Sequence, residues 1–262
     1  MKIYPKVALD LYVIQMVWTF FYLGIMLIIH VFKLAGLPFF GDGEVDHFYV
    51  NSFVASNIYM LVIGIIAIVF LRYYVENGVT RRDYYKGTLL AAIGLSITIP
   101  IITIIISFIE RLIVNALFHV TYRNPEISTA LSEIEGGDIG DLIGEFVLTI
   151  VLTPYIDPAD NWLLSLAIFS LNIFTYYILG WLISSAFHHS GVIAGLAVIA
   201  FALILLMIED SLLRMALDLP VMNLFEPFAD IPSSVGLLIV FFILILSAWI
   251  IRMFTRRVRI KM

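Results

Sequence analysis

The chain has 262 residues, 62% hydrophobic and 13% charged, with 15 basic and 20 acidic side chains and no cysteine. With a mean hydropathy of +1.04, this composition excludes a soluble globular domain, which could not keep so much apolar surface from water. The missing cysteine excludes disulfides, thiol catalysis and cysteine-based zinc sites.

The expected fold class is all-α integral membrane, a single domain over residues 1–262. A spanning helix needs about 20 apolar residues, and six runs qualify, over roughly residues 11–32, 56–71, 88–109, 162–184, 192–208 and 234–253. Residues 1–10 carry Lys2 and Lys6 and predict a short interfacial helix leading into the first span. No small-residue cleavage pattern follows that span, so it is expected to stay in the membrane.

Basic residues fall before the first span, between the second and third (Arg72, Arg81, Arg82, Lys86) and after the sixth (Arg252, Arg256, Arg257, Arg259, Lys261). With alternating helices these share one side, and the positive-inside rule puts that side and both termini in the cytoplasm. Acid collects on the other side, from Asp42, Glu44 and Asp46 to Glu226 and Asp230. Residues 142–156 are apolar but contain Glu145 and stop at Pro154. They read as an external amphipathic or re-entrant element between the third and fourth helices, with another such interruption between the fifth and sixth.

Pro100 should kink the third helix, with Thr98 or Thr103 hydroxyls available to compensate. That helix is expected to run past the bilayer through Glu110 and Arg111, an interfacial charge pair. Glu209 and Asp210 mark where the fifth helix meets water, and Arg214 can pair with either.

The most informative stretch is the polar island between the second and third helices, Gly78-Val79-Thr80-Arg81-Arg82-Asp83-Tyr84-Tyr85-Lys86-Gly87. Gly78 can end the descending helix with a positive φ. Thr80 is then an N-cap with Asp83 three residues on, close to a capping box. A short helix over residues 81–87 would present Arg81, Arg82 and Lys86 outward. On the residues alone, the plainer reading is a solvated loop that sets topology.

Continued through Thr88-Leu89-Leu90, the island resembles permease subunits of the ABC-2 type, the transmembrane domains of type V ABC exporters. These place a Gly-hydrophobic-Ser/Thr-Arg-Arg-Asp-aromatic turn between helices two and three. The resemblance implies that Gly78, Val79, Thr80, Arg81, Arg82, Asp83, Tyr84 and Lys86 form the coupling element that enters a groove of a separate ATPase. A fainter likeness at residues 179–191 implies a second cytoplasmic contact at Phe187, His188, His189 and Ser190. Two histidines stand there where the family often has Arg or Lys, which weakens the match. The resemblance further implies a side-by-side pair of membrane subunits, identical or related, in the cell membrane of a bacterium. An amphipathic substrate (peptide, lipid or drug) would pass along helices one, two and five. The chain itself would have no enzyme activity, cofactor, metal or nucleic-acid partner, because ATP is bound by the ATPase subunit; no phosphate-binding loop motif is present here.

Two alternatives stand beside this. One is a non-transporting immunity or sensor protein. The other is an intramembrane protease, since Glu209-Asp210-Ser211-Leu212-Leu213-Arg214 resembles the Glu-Glu-x-x-x-Arg signature of CAAX-type proteases and His47-Phe48-Tyr49-Val50-Asn51 another of their motifs. Their order along the chain is wrong for that family, and adjacent His188 and His189 diverge too far on a helix to chelate a metal.

Overall fold

Each of the six apolar runs expected to span becomes a helix, and each helix outlasts the run that predicts it. The computed structural model describes residues 3–35, 46–117, 156–219 and 232–257. Within them lie α1 (Tyr4–Leu34), α2 (Phe48–Glu76), α3 (Arg81–Leu117), α4 (Pro158–Ser190), α5 (Val192–Ala216) and α6 (Ser233–Arg257). All six are long and apolar enough to cross a membrane. At about 1.5 Å per residue the 37 residues of α3 measure about 55 Å, against a hydrocarbon core of roughly 30 Å. Most of the acidic loops, and the elements expected between the third and fourth and between the fifth and sixth helices, including residues 142–155, lie outside the described residues.

Helix α4 is the centre. Of its most apolar stretch 72% is buried, against 22–44% in the other helices, and it packs on α2, α3, α5 and α6. A helix apolar all round belongs inside. Its partner α2 runs parallel to it, shown by three successive contacts. The Tyr49 hydroxyl donates to the Ser165 carbonyl at 3.2 Å, and Asn172 Nδ2 donates to Asn57 Oδ1 at 2.6 Å. Deeper still, Gly64 meets the Tyr177 carbonyl while Gly180 meets that of Leu61. A Cβ at either glycine would run into backbone, so the two helices cross where neither has a side chain.

Helices α1 and α3 form the second parallel pair. Gly87 of α3 receives Val7 of α1, Tyr12 bonds Thr98 at 2.9 Å, and His30 bonds Glu110 at 2.9 Å. Helices α5 and α6 close the bundle against α4. The outside is apolar: Phe21, Leu112, Ile193 and Ile245 are among many exposed large side chains, a surface suited to lipid rather than water.

Two expectations are corrected. Residues 4–10 form no separate interfacial helix, because α1 begins at Tyr4 and its first turns are held by packing. Val7 and Leu11 are buried, and Asp10 accepts a hydrogen bond from Tyr74 of α2. Around Pro100 the two threonines do not restore the lost backbone bond. Thr98 bonds the Gly94 carbonyl at 2.8 Å and Thr103 that of Ile99 at 2.9 Å, whereas proline's missing N–H orphans the carbonyl four residues back, at Ser96.

The crossing makes a direct prediction. Gly64→Leu or Gly180→Leu should destabilise the protein by about 1–3 kcal/mol or more through overpacking, lowering the midpoint of thermal unfolding in detergent. Gly24→Leu, at a site with nothing within 4 Å, should leave it unchanged.

Candidate functional site

The α2–α3 turn is built as its residues suggest. Gly78 has φ 81° and stands where a side chain would be strained. The Thr80 hydroxyl accepts from the Asp83 N–H at 3.1 Å and donates to Asp83 Oδ2 at 2.8 Å. The N-cap thus satisfies an amide, and the carboxylate faces the positive end of the helix. The short helix over residues 81–87 is not separate, however. Arg81 opens α3 and the helix runs on without a break. Gly87, the last residue of the expected short helix, marks the close approach to Val7, and Thr88 Oγ1 bonds back to the Tyr84 carbonyl at 3.0 Å.

Of the three cations expected to point outward, Arg82 and Lys86 are exposed and Arg81 is half-buried. Arg81 Nη1 donates to the Arg256 carbonyl at 2.8 Å, and Arg252 Nη1 donates to the Arg81 carbonyl at 3.3 Å. The Tyr85 hydroxyl reaches the Ala248 carbonyl at 2.9 Å, and Lys86 Nζ lies 5.4 Å from the centre of the Tyr4 ring. Val79 is half-buried, while Tyr84 is fully buried and donates to the Ala67 carbonyl. The turn therefore fastens the ends of α1, α2, α3 and α6 together.

Phe187, His188, His189 and Ser190 form the last turn of α4, before Gly191 (φ 84°) reverses the chain into α5. The His189 ring packs at a tilt of 36° against Phe254 of α6, with centroids 5.1 Å apart. This brings the second predicted contact to the same end of the bundle as the first.

At the opposite end the expected Glu110–Arg111 pair does not form. The two side chains leave α3 about 100° apart and take different partners. Glu110, 7% exposed, bonds His30 through Oε1 and accepts the Phe48 N–H through Oε2 at 3.0 Å. It thereby caps α2, whose N-cap residue His47 makes no side-chain cap of its own. His47 Nδ1 lies 3.9 Å from Glu110 Oε1. Burial and the Arg111 charge outweigh the Glu110 and Asp157 carboxylates and hold the His47 imidazole below its usual range.

Arg111 instead grips both oxygens of Asp157, at 2.6 and 2.7 Å. Asp157 is the N-cap of α4 and accepts from Ala159 at 2.8 Å. Burial pushes its carboxyl up, but Arg111 and the Ala159 amide together hold it below the ordinary aspartate value.

The reading of Glu209 and Asp210 as the water boundary is corrected. They are 1% and 2% exposed, and α5 continues to Ala216. Arg214, 3% exposed, bonds Asp210 at 2.6 Å, the i, i+4 pairing the sequence allows. Glu209 takes the Thr175 hydroxyl at 3.2 Å. This cluster lies far from His47. On α4, Thr175 stands ten residues beyond Ser165, the partner of Tyr49, a separation of about 15 Å along the axis. Among the described residues no group of three His, Cys, Asp or Glu side chains could hold a metal ion.

Sequence reading missed a buried polar seam on one face of α1. Gln15 donates to the Tyr177 hydroxyl at 3.3 Å, Thr19 bonds Tyr59 at 2.9 Å, and Tyr22 bonds Ser56 at 3.1 Å while its ring stacks on Tyr59 at 4.3 Å. The i, i+4, i+7 spacing of Gln15, Thr19 and Tyr22 inside an apolar run was the available signal. Such bonds average about 0.6 kcal/mol in membranes, so they set register more than stability.

No protein-family model, curated protein or solved structure matches this chain. Composition and the six helices define a multi-pass membrane protein.

The paired charges can be tested at both sites. Arg111→Ala and Asp157→Ala should show a coupling of roughly 0.5–1 kcal/mol in a double-mutant cycle, given a pair that is partly exposed. Because the Asp157 carboxyl is depressed in the folded state, its contribution is complete above the ordinary aspartate value of about 3.9 and fades as pH falls through the lower folded value. Asp157→Asn should flatten that acid limb of the stability profile. At the second site, Arg214→Ala should cost about 3–5 kcal/mol by stranding a buried carboxylate, and the joint change Asp210→Asn with Arg214→Gln should recover much of it.

Proposed function

We propose that this chain is the membrane-spanning permease subunit of an ATP-driven exporter of the ABC-2 type, working with a separate cytoplasmic ATPase. One observation carries the reading: the capped basic turn between α2 and α3 is braced to the ends of α1 and α6. The Arg81–Arg256 and Arg252–Arg81 bonds and the Val7–Gly87 contact supply the bracing. A push on the turn would then be shared by several helices instead of being absorbed in a loop.

The rest of the scheme follows from this. The basic end lies in the cytoplasm, so both termini and the turn face the ATPase. Gly78, Val79, Thr80, Arg81, Arg82, Asp83, Tyr84 and Lys86 act as the coupling element, with the exposed Arg82 and Lys86 as its contact charges. The last turn of α4, from Phe187 to Ser190, is the second contact. Here the coupling element is the overhanging first turns of α3, so force enters that helix directly. A second permease subunit sits alongside. Helices α1 and α5 are among the least buried, which leaves them available, with α2, to line a path for an amphipathic substrate at the subunit interface. ATP hydrolysis belongs to the partner.

The test is co-purification from native bacterial membranes in mild detergent. A stoichiometric ATPase subunit should accompany the wild-type chain, and Arg81→Glu with Arg82→Glu should reduce its recovery about tenfold or more while membrane insertion persists. Thr80→Cys should react with an impermeant thiol reagent only from the cytoplasmic side. Absence of any ATPase, or labelling of Thr80→Cys from outside, overturns the reading.

A further inference from the structure

The basic end of the bundle holds more positive charge than the chain neutralises. Among the described residues its acids are Asp10, Glu76 and Asp83, and each is engaged: Asp10 with Tyr74, Glu76 with Arg72, and Asp83 with Thr80 at the start of α3. Against them stand Arg81 and Arg82 of α3 and Arg252 and Arg256 of α6. None of these four pairs with a carboxylate among the described residues. Arg81 and Arg252 each give one N–H to a backbone carbonyl of the cluster itself. The Arg252 guanidinium lies 5.4 Å from the centre of the Tyr85 ring, and its charged neighbours are Arg82 and Arg256. Two carbonyls and one ring face leave the four like charges to repel one another.

The surface beside the cluster selects the anion. On α6, Phe242, Ile245, Trp249, Arg252 and Arg256 follow one another at spacings of three and four residues, which places them on one face of the helix. Phe242, Ile245 and Trp249 are 64%, 69% and 58% exposed, Arg252 is half-buried and Arg256 is exposed. An apolar track therefore runs straight into two guanidinium groups. From Phe242 to Arg252 it measures about 15 Å, half of a hydrocarbon core of roughly 30 Å and so the depth of one leaflet. Trp249, one turn before Arg252, stands where an indole marks the headgroup level. An acidic protein surface would meet the cations and leave the track unused, whereas a lipid uses both.

We propose that this face of α6 binds one anionic phospholipid, its phosphodiester on Arg252 and Arg256 and one acyl chain along Trp249, Ile245 and Phe242. A guanidinium suits a phosphate because its planar fork reaches two oxygens at once. The bound lipid supplies the negative charge that this end of the chain lacks, and it steadies the bond from Arg81 to the Arg256 carbonyl. The binding goes beyond the exporter reading and needs no ATPase, so either can fail alone.

The test uses the whole protein in nanodiscs of phosphatidylcholine with a minority of phosphatidylglycerol, released into mild detergent for native mass spectrometry. One phosphatidylglycerol per chain should stay bound, enriched about tenfold to thirtyfold over phosphatidylcholine, the worth of two cations at a membrane surface. Arg252→Gln with Arg256→Gln should bring the two lipids to parity. Lys6→Gln, which removes an exposed cation of α1 at the same end, should leave the enrichment as it was. On the unmutated protein, phosphatidylglycerol carrying a mid-chain diazirine should label α6 around Ile245 and Phe242. Millimolar glycerol phosphate, which has the phosphate without the chain, should not displace it. Equal retention of the two lipids would overturn the proposal, as would enrichment that survives the double arginine change or is lost equally in Lys6→Gln. Labelling spread evenly over the lipid-facing helices, or displacement by glycerol phosphate, would overturn it too.

Discussion

The structure turns on the crossing of α2 and α4 at Gly64 and Gly180, where each helix touches the other's backbone carbonyl. In lipid, helices gain little from merely hiding apolar surface, so close backbone approach and interhelical hydrogen bonds must hold them together. The crossing supplies the first, and Asn57–Asn172 and Tyr49–Ser165 above it supply the second. Once α2 and α4 are locked parallel, α4 becomes the central rod. The pair α1 and α3 lies on one side, and α5 and α6 on the other.

Polar side chains within the spans do two kinds of work. Glu110 is a joint between helices: through His30 and the Phe48 amide it ties three helix ends and completes the open N-terminus of α2. Asp210 and Arg214 neutralise one another within α5 at depth, where an unpaired charge would be expensive. The end of the bundle that holds Glu110 also carries the Arg111–Asp157 pair, which joins α3 to the start of α4. At the other end the basic residues gather on helix termini fastened by Arg81, Arg252 and Tyr85.

Hydropathy alone located every spanning helix among the described residues, because a run of about 20 apolar residues has few other uses. Hydropathy did not fix the spans' lengths: Asp10 and Glu110 were expected in helical extensions at the membrane surface and Asp210 where the fifth helix meets water. Asp10, Glu110 and Asp210 are helical because packing supplies their partners, Tyr74, His30 and Arg214. Gly87 shows the same limit: a short helix was expected to stop there, and only the packing shows that the glycine is where Val7 approaches closely.

What the sequence by itself determined is the membrane class, the number of described spanning helices, and the chemistry of the Gly78–Thr80–Asp83 turn. These depend on composition, run length and contacts within four residues. Tertiary structure alone decided that Glu110 and Arg111, adjacent in the chain, serve different helices, that Arg81 braces α6, and that His30 meets Glu110. Those relations join residues 46 to 175 positions apart. No local pattern encodes such distances, because they are fixed only when the glycine crossing sets which helices lie side by side.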